Sequence, residues 1–437
     1  MRGVSTDRRS LLKAGLVTPI ALQAAPGAAA AEEGAMFASE RLLADVKAYA
    51  EAGNKQSGGA GDRWAADWAA KRLAAAGFSV ERQPFNVPWF ETVTCELTLG
   101  DRKIPLVVQP LAVPTGSGGI TAPLRLADVG DRLDGAIAVV RLPYRRWSSL
   151  LDRAVRDPLS DALARGAAAV ILVTTGPTGE ALLLNAPADA PLSHKPLALL
   201  APRLASPVIE AARRGLPARL VLSGAGGSRV AENVVGRRVR DGRRWLVVST
   251  PGSGWTDCAG ERGPGLAIWL ALAEWMPRAF ADHSLLFVCN SGHEYENLGA
   301  SHIVEEVGPP VADTDFWLHL GANVATRDYQ EMPGRLLPLP SADPFRFLIT
   351  SAAFVDRARM IFKGLPGLEM AYPSAQGTAG ELSEVVRAGY PHHAGIFGAH
   401  RHHHAATDDM SVVAPQPLAA TALAVRDFLT AIVPARR

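Results

Sequence analysis

Five side chains that could bind a metal ion or move a proton stand at separate places in the second half of the chain. They are Glu261, His293, Glu294, His319 and His404. All five fall in or near loops at the ends of predicted strands, and open α/β sheets place their sites at the carboxyl ends of strands. Imidazole and carboxylate together suit Zn²⁺ with one position left open for water. The sequence therefore predicts a zinc site built from dispersed ligands.

Each of these residues also has a purely structural explanation. His293 and Glu294 could merely cap the loop that follows their strand. Glu261 stands beside Arg262, with which it could form a local ion pair. His319 lies on an apolar strand, where a hydrogen-bonded core histidine is common. The run HRHHH at residues 400–404 is typical of a solvated loop, of which one or two members at most would bind a metal. Asp408 could orient the last imidazole of that run.

The elements that must position these side chains are readable from apolar patterning. Residues 285–289 form a short continuous apolar run, as in a buried parallel strand, and a turn at 290–292 leads directly to His293 and Glu294. Further strands are predicted at 245–249 and 316–320. Their alternation with helices at 266–275 and 298–307 predicts an α/β fold, a mixed and mostly parallel sheet covered by helices on both faces.

Two local features refine this expectation. The dipeptide Asp241-Gly242 lies between apolar runs at 233–236 and 245–249, and this pattern predicts a β-hairpin. Residues 338–344 are rich in proline and are expected to be an irregular loop that could cover the cleft.

Composition narrows the class of protein. The chain has 437 residues, long enough for two domains, and a net charge of only +2, so nucleic acid is not an expected partner. Three cysteines without metal-binding spacing allow one disulfide at most. No apolar run beyond the N-terminal segment is long enough to span a membrane.

The domain organisation follows from changes along the chain. Residues 1–31 carry paired arginines, a weakly apolar run and small residues, which resembles a twin-arginine signal and predicts a periplasmic or secreted protein. Residues 101–228 form a β-rich region without clustered His, Asp or Glu. We interpret it as an inserted domain that has a binding or lid role or is purely structural. Residues 32–100 and 229–437 then make up the α/β domain.

Several segments together carry a family resemblance. Residues 292–301, 381–391 and 404–408, with 134–140 and 164–170 in the insert, match in order and spacing. Over residues 39–432 the chain resembles the secreted zinc exopeptidases that include bacterial leucyl aminopeptidases and glutaminyl cyclases, in the form that has a protease-associated insert. This resemblance implies the exopeptidase fold and a zinc-dependent site.

The site departs from the family pattern in several positions. The family's His-x-Asp motif is replaced by Pro251-Gly252-Ser253, and Arg262 stands where an Asn is usual. By the resemblance, Glu261, Glu294 and His404 are metal ligands and His319 could complete the site. The incomplete shell implies one zinc ion rather than two. His293 stands where the family has its general-base Glu, and a histidine can also accept a proton. His293 could equally act as a metal ligand.

Three functions remain open from the sequence. The first is an exported hydrolase that acts on peptide or amide bonds with one zinc ion and with His293 as base. A second is an inactive relative that binds peptides or other small molecules in the same cleft. The third is metal-free hydrolysis by Ser253 or Cys258 with a histidine. The sequence does not identify the substrate or the oligomeric state.

Overall fold

A computed structural model of the chain describes residues 33–128, 132–189, 191, 193–332 and 335–433. The predicted signal at residues 1–31 lies outside the described residues and stays a prediction. Within the described part of the chain, no helix has the length and apolar character needed to cross a membrane.

Strands and α-helices alternate between residues 245 and 320, whereas other parts of the chain contain several strands in succession. The strands are β1 (Ser79–Leu99), β2 (Arg102–Pro105), β3 (Val107–Val108), β4 (Ile120–Leu126), β5 (Ile137–Arg141), β6 (Ala169–Val173), β7 (Leu197–Leu200), β8 (Pro217–Arg238), β9 (Trp245–Pro251), β10 (Ser284–Asn290), β11 (Thr314–Leu320), β12 (Arg327–Met332), β13 (Arg335–Ala342), β14 (Arg346–Thr350), β15 (Tyr372–Pro373) and β16 (His393–Gly398). The α-helices are α1 (Ser39–Glu51), α2 (Ala60–Ala75), α3 (Arg153–Ala164), α4 (Ala205–Arg213), α5 (Gly263–Ala279), α6 (Leu298–His302), α7 (Val355–Ile361), α8 (Leu382–Arg387) and α9 (Pro415–Ile432).

Four strands at the centre of the main sheet run parallel in the order β10-β9-β11-β16. Antiparallel β8 flanks them on one side and antiparallel β14 on the other. This confirms the predicted mixed, mostly parallel α/β sheet. The predicted β-hairpin is wrong, because β10 lies between β8 and β9 and pairs with both of them. Burial of β9 on both faces outweighs the local turn signal.

Both faces of the sheet are covered, as the continuous apolar run of β10 predicts. Leu285 and Phe287 point to one core, which contains residues of α1, α5 and α9. Leu286 and Val288 alternate with them and point to a second core, which contains residues of α8. Strand alternation thus explains why nearly every residue of β10 is apolar.

Residues 97–222 contribute to two hydrophobic cores on opposite faces of β5 and β6, and the second core also contains Ala405. Strands β4, β5, β6 and β7 form a parallel sheet there. The long strands β1 and β8 pair from Ser79 and Arg237 to Thr98 and Arg219, so they run continuously from one sheet into the other. The assignment of residues 101–228 as a protease-associated insert stays a prediction.

The sequence predicted an irregular loop for the proline-rich segment at residues 338–344, but most of this segment is a strand. Its residues up to Ala342 belong to β13, which pairs with β12 in a separate two-stranded sheet. Asp343, which follows β13, is fully buried and accepts two hydrogen bonds of 2.9 Å from Arg146. This segment therefore joins the main sheet to the region that contains β4 to β7.

Candidate active site

The candidate site lies where the four parallel strands end. Glu261 follows β9, His293 and Glu294 follow β10, and His404 follows β16. His319 is the penultimate residue of β11, and its Cα pairs with that of Ser249 in β9. All of these side chains therefore meet at one edge of the sheet, as the rule for open α/β sheets predicts.

Glu261 is fully buried, and its carboxylate lies close to a guanidinium and to an imidazole. Its Oε1 lies 2.7 Å from Nη2 of Arg262, which is also fully buried. The same oxygen lies 3.3 Å from Nε2 of His404. Burial by itself would raise the pKa of Glu261, but the charges of Arg262 and His404 hold it well below its ordinary value. Glu261 is therefore an ionised carboxylate, and the ion pair with Arg262 expected as a structural explanation does form.

His403 is a third member of this cluster, which sequence reasoning left within a solvated loop. It is 5 % exposed, and its Nδ1 lies 3.9 Å from Glu261 Oε1 without a hydrogen-bond partner. Its other ring nitrogen, Nε2, lies 2.8 Å from Ser148 Oγ. Metal-binding imidazoles commonly have their second nitrogen fixed in this way.

Glu261, His403 and His404 therefore form a group whose ligand atoms all lie within 4.8 Å of one another. We call these three residues the His/Glu cluster. Among the described residues, one other group meets the same criterion, and it contains Cys258, Glu261 and Asp408. This second group is less suited to a metal, because burial raises the pKa of the Cys258 thiol well above its ordinary value.

Asp408 does not orient His404, contrary to the expectation from their spacing. Its carboxylate accepts backbone hydrogen bonds from Gly260 and Glu261, and Oδ2 lies 3.5 Å from Nε2 of His400. Asp408 thus shapes the loop that presents Glu261. His404 itself has a φ of +61°, an uncommon conformation for a non-glycine residue that is often retained at functional sites.

Glu294, a predicted ligand, lies outside the His/Glu cluster. One carboxylate oxygen accepts a 2.7 Å hydrogen bond from the backbone N–H of Ser57, and the other accepts a 2.6 Å bond from Ser253 Oγ. Ser253 is fully buried, and its hydroxyl also accepts a 3.3 Å bond from the backbone N–H of His293. A serine nucleophile faces an imidazole base instead, so this geometry does not favour Ser253 as a nucleophile.

A second cluster contains His293, His319 and Glu381, and sequence reasoning did not select Glu381. Its Oε1 lies 3.2 Å from His293 Nδ1, and its Oε2 lies 3.9 Å from His319 Nε2. Asn290 donates a 2.7 Å hydrogen bond to the same carboxylate. His319 also contacts Ser249 Oγ at 3.0 Å, as expected for a core histidine. The carboxylate fixes the ring of His293, whose side chain is 12 % exposed.

Burial and charge keep both imidazoles of this cluster neutral. Burial, followed by the charge of Arg262, lowers the pKa of His293 to about 3. Burial lowers the pKa of His319 to about 4 although Glu381 opposes the change. Burial also raises the pKa of Glu381 itself. At neutral pH, His293 therefore has an unprotonated ring nitrogen, as a proton acceptor requires.

Asp62 of α2 lies near Ser291 and Glu294, and its ionisation should make the stability of the protein depend on pH. It is 4 % exposed, and its Oδ2 accepts hydrogen bonds from Gly58 N–H and Ser291 Oγ. Burial, with the charge of Glu294, raises its pKa from 3.8 to about 7. Its contribution to stability is therefore complete below about pH 4 and is lost as the pH rises through 7.

We expect Asp62→Asn, which resembles the protonated form, to remove this dependence. Between pH 5 and pH 8 the free energy of unfolding of the wild type should fall as Asp62 ionises. The corresponding fall in the variant should be smaller by on the order of 2–4 kcal/mol. Urea unfolding at the two pH values measures this difference. Asp67→Asn on the same helix, at an exposed position, is the matched control. An equal pH dependence in Asp62→Asn and Asp67→Asn would contradict the prediction.

A segment between β6 and β7 covers the site. The backbone N–H of Leu183 donates to the carbonyl of His404 at 3.2 Å, and that of Ala186 donates to the carbonyl of Glu294 at 3.1 Å. Asn185 Oδ1 accepts a 2.9 Å bond from the indole of Trp255. These contacts, with Ser148 on His403, place residues of the predicted insert directly against the candidate site.

Comparison with known proteins supports the fold. No protein-family model and no curated protein sequence matches the chain. A zinc aminopeptidase from Bacillus subtilis is similar in structure, with a TM-score of 0.67 and 19% identity over 90% of this chain and 95% of that one. An aminopeptidase from Aneurinibacillus sp. strain AM-1 has a TM-score of 0.64 and 16% identity, over 93% of this chain and 98% of that one.

A third similar structure is a peptidase M28 precursor from Shewanella amazonensis. It has a TM-score of 0.68 and 16% identity, over 94% of this chain and 97% of that one. Because all three likenesses extend over nearly the whole chain, they confirm the resemblance at the level of architecture. The protein therefore has the fold of the zinc aminopeptidases.

Proposed function

We propose that the protein hydrolyses peptide or amide bonds with one zinc ion bound by Glu261, His403 and His404. The observation that carries this proposal is the His/Glu cluster, a buried carboxylate with two imidazoles at the carboxyl ends of parallel strands. The proposal keeps Glu261 and His404 from the ligands predicted by the sequence and adds His403. It does not use Glu294 and His319, whose side chains have other partners.

The donor set fits a single ion. Tetrahedral zinc with bonds near 2.1 Å separates its ligand atoms by about 3.4 Å, and Glu261 Oε1 lies 3.3 Å from His404 Nε2. The unpartnered Nδ1 of His403 is a buried polar atom that a metal would satisfy. Arg262 already occupies one side of Glu261, so the carboxylate has room for one further cation rather than two.

The residues around the cluster have separate roles in this proposal. Bound zinc would supply Lewis acidity that polarises the scissile carbonyl. His293 is the proton acceptor in this proposal because its ring is partly exposed and Glu381 positions it. Its lowered pKa leaves the ring unprotonated at neutral pH but makes it a weaker base than an ordinary histidine. Arg262 places a permanent positive charge beside the cluster, where negative charge develops during acyl transfer.

Hydrolysis of aminoacyl 4-nitroanilides by the zinc-supplemented protein tests the proposal. We expect turnover that falls by about 100-fold or more in His403→Ala, because a ligand is lost without leaving an unpaired charge. His392→Ala, at an exposed histidine, is the matched control and should leave turnover unchanged. Equal turnover in the two variants, or none in the wild type across aminoacyl and acyl amides, would overturn the proposal.

The charge of Arg262 favours a second candidate, a binding protein without catalytic activity. A cation near Glu261 must approach a guanidinium that is fixed by Ser253 O at 2.9 Å and cannot move away without breaking buried contacts. The positive charge of this guanidinium disfavours binding of a metal cation to the same carboxylate. Saturable binding of a dipeptide by protein that takes up no zinc and has no turnover would support this alternative.

A further inference from the structure

The loop that follows β5 runs from the sheet of β4 to β7 to the candidate site. It comprises residues 142–152, which we call the β5 loop, and α3 begins directly after it. Four of its side chains bond to side chains that lie beyond residue 290 in the chain. These pairs are Tyr144 with Glu331, Arg146 with Asp343, Ser148 with His403, and Ser149 with Glu296. The β5 loop is therefore joined to segments on several sides of the site.

Ser148 is also held in place by its neighbours in the loop. The side chain of Trp147 is 1 % exposed and lies in a hydrophobic core. The backbone N–H of Asn185 donates to the carbonyl of Ser148 at 2.8 Å, and the N–H of Leu150 donates to the carbonyl of Asn185 at 2.9 Å. The hydroxyl of Ser148 is thus presented to His403 from a fixed backbone.

Two contacts together orient the ring of His403. The ring of His404 stacks on it, with centroids 3.9 Å apart and 19° between the ring planes. Stacking fixes the plane of the ring but does not distinguish two orientations that differ by a half-turn about the Cβ–Cγ bond. The contact of 2.8 Å between Nε2 and Ser148 Oγ does distinguish them, because a half-turn would place a carbon atom against the hydroxyl. Ser148 therefore favours the orientation in which Nδ1 faces Glu261.

The same contact suits an imidazole that binds a metal ion. Nδ1 must be unprotonated to bind a cation, so the proton of the neutral ring is then on Nε2. Ser148 Oγ can accept a hydrogen bond from this N–H. Because His403 is only 5 % exposed, removal of the hydroxyl would leave a buried donor without this partner. The hydroxyl should therefore stabilise the metal-bound form of the ring.

We propose that Ser148 is a positioning residue that holds His403 in the orientation needed to bind zinc. The region that contains β4 to β7 then forms part of the metal site and is more than a cover over it. This inference rests on the proposed function, because it takes His403 as a ligand. By thermodynamic linkage, bound zinc strengthens the contact between the β5 loop and His403 by the same factor by which the contact strengthens zinc binding.

The zinc affinity of Ser148→Ala, measured by competition with a coloured chelator, tests the proposal without requiring turnover. We expect an affinity about 10–100-fold weaker than that of the wild type. Ser149→Ala is the matched control, since it removes the neighbouring hydroxyl of the same loop, which bonds to Glu296 outside the His/Glu cluster. Its affinity should stay close to that of the wild type. An equal loss in the two variants would show that only attachment of the loop matters and would overturn the proposal.

Visible absorption of the cobalt-substituted protein reports on the ligands directly. The bands of Co²⁺ depend on the number and geometry of its ligands, whereas Zn²⁺ has a filled d shell and no such bands. Ser148→Ala should change these bands, and Ser149→Ala should give the spectrum of the wild type. Circular dichroism verifies that each variant is folded. Unchanged bands in Ser148→Ala would contradict a role in orienting His403.

The outcomes separate this inference from the proposed function. If the wild type binds zinc and Ser148→Ala binds it equally well, the role of Ser148 is wrong and the proposed function stands. If Ser148→Ala loses affinity but the wild type hydrolyses no amide, the positioning role stands and the proposed hydrolysis is wrong. If the wild type takes up no zinc, both are overturned.

Discussion

Folded protein equilibrated with zinc and then desalted should retain about one zinc ion per chain by elemental analysis. His403→Ala should reduce this to a small fraction, because the cluster then offers only Glu261 and His404. Glu294→Gln should still retain about one ion, since the Glu294 carboxylate is held by Ser57 and Ser253 outside the cluster. Circular dichroism on each variant separates loss of the ion from loss of the fold.

The two variants discriminate between two sets of ligands. The sequence predicts Glu294 as a ligand, whereas the proposed His/Glu cluster contains His403 instead. Loss of zinc in Glu294→Gln with retention in His403→Ala would show that the set predicted from the sequence is right and that the His/Glu cluster is wrong. Two ions per chain would contradict the argument that Arg262 takes the place of a second cation.

Much of the fold was predictable because apolar runs report burial directly. The run 285–289 must be covered on both faces, and the structure covers it with helices on each side. The Asp241-Gly242 turn failed as a hairpin signal because it is local, whereas strand order depends on distant partners. β10 inserts beside β8 and β9 although more than thirty residues separate it from that turn.

The sequence predicted where the candidate site lies in the fold, but not which of its side chains contact one another. Strand ends identified Glu261, His293, Glu294, His319 and His404, and the structure brings them to one edge of the sheet. Which imidazoles face Glu261 depends on the path of the loop that follows β16, where the ring centroids of His403 and His404 lie 3.9 Å apart. Ser148 was not predicted because a segment remote in sequence brings it to the site. Glu381 begins one of the segments that carry the family resemblance, but its contacts with His293 and His319 depend on distant parts of the chain.

Replacement of Arg262 should have the largest effect on stability. Arg262→Met keeps much of the side-chain volume but leaves the buried carboxylate of Glu261 without its cation. Removal of one partner from a buried ion pair typically costs about 3–5 kcal/mol. Zinc should then stabilise the variant more than the wild type, because the ion no longer approaches a fixed positive charge. The rise in melting temperature on addition of zinc measures this difference.

A double-mutant cycle isolates the charge effect from packing. Glu261→Gln alone leaves Arg262 buried and unpaired, so this single variant should also be strongly destabilised. The double variant, Arg262→Met with Glu261→Gln, removes both charges together. The double variant should therefore be more stable than the sum of the single losses by a margin of about 1–3 kcal/mol, and zinc should no longer shift its melting temperature. If zinc raises the melting temperature of wild type and Arg262→Met equally, Glu261 is not shared between a guanidinium and a metal ion. The cation that balances Glu261 is then Arg262 alone, and the ion binds elsewhere. If zinc shifts the melting temperature of neither protein, the binding-protein alternative is supported.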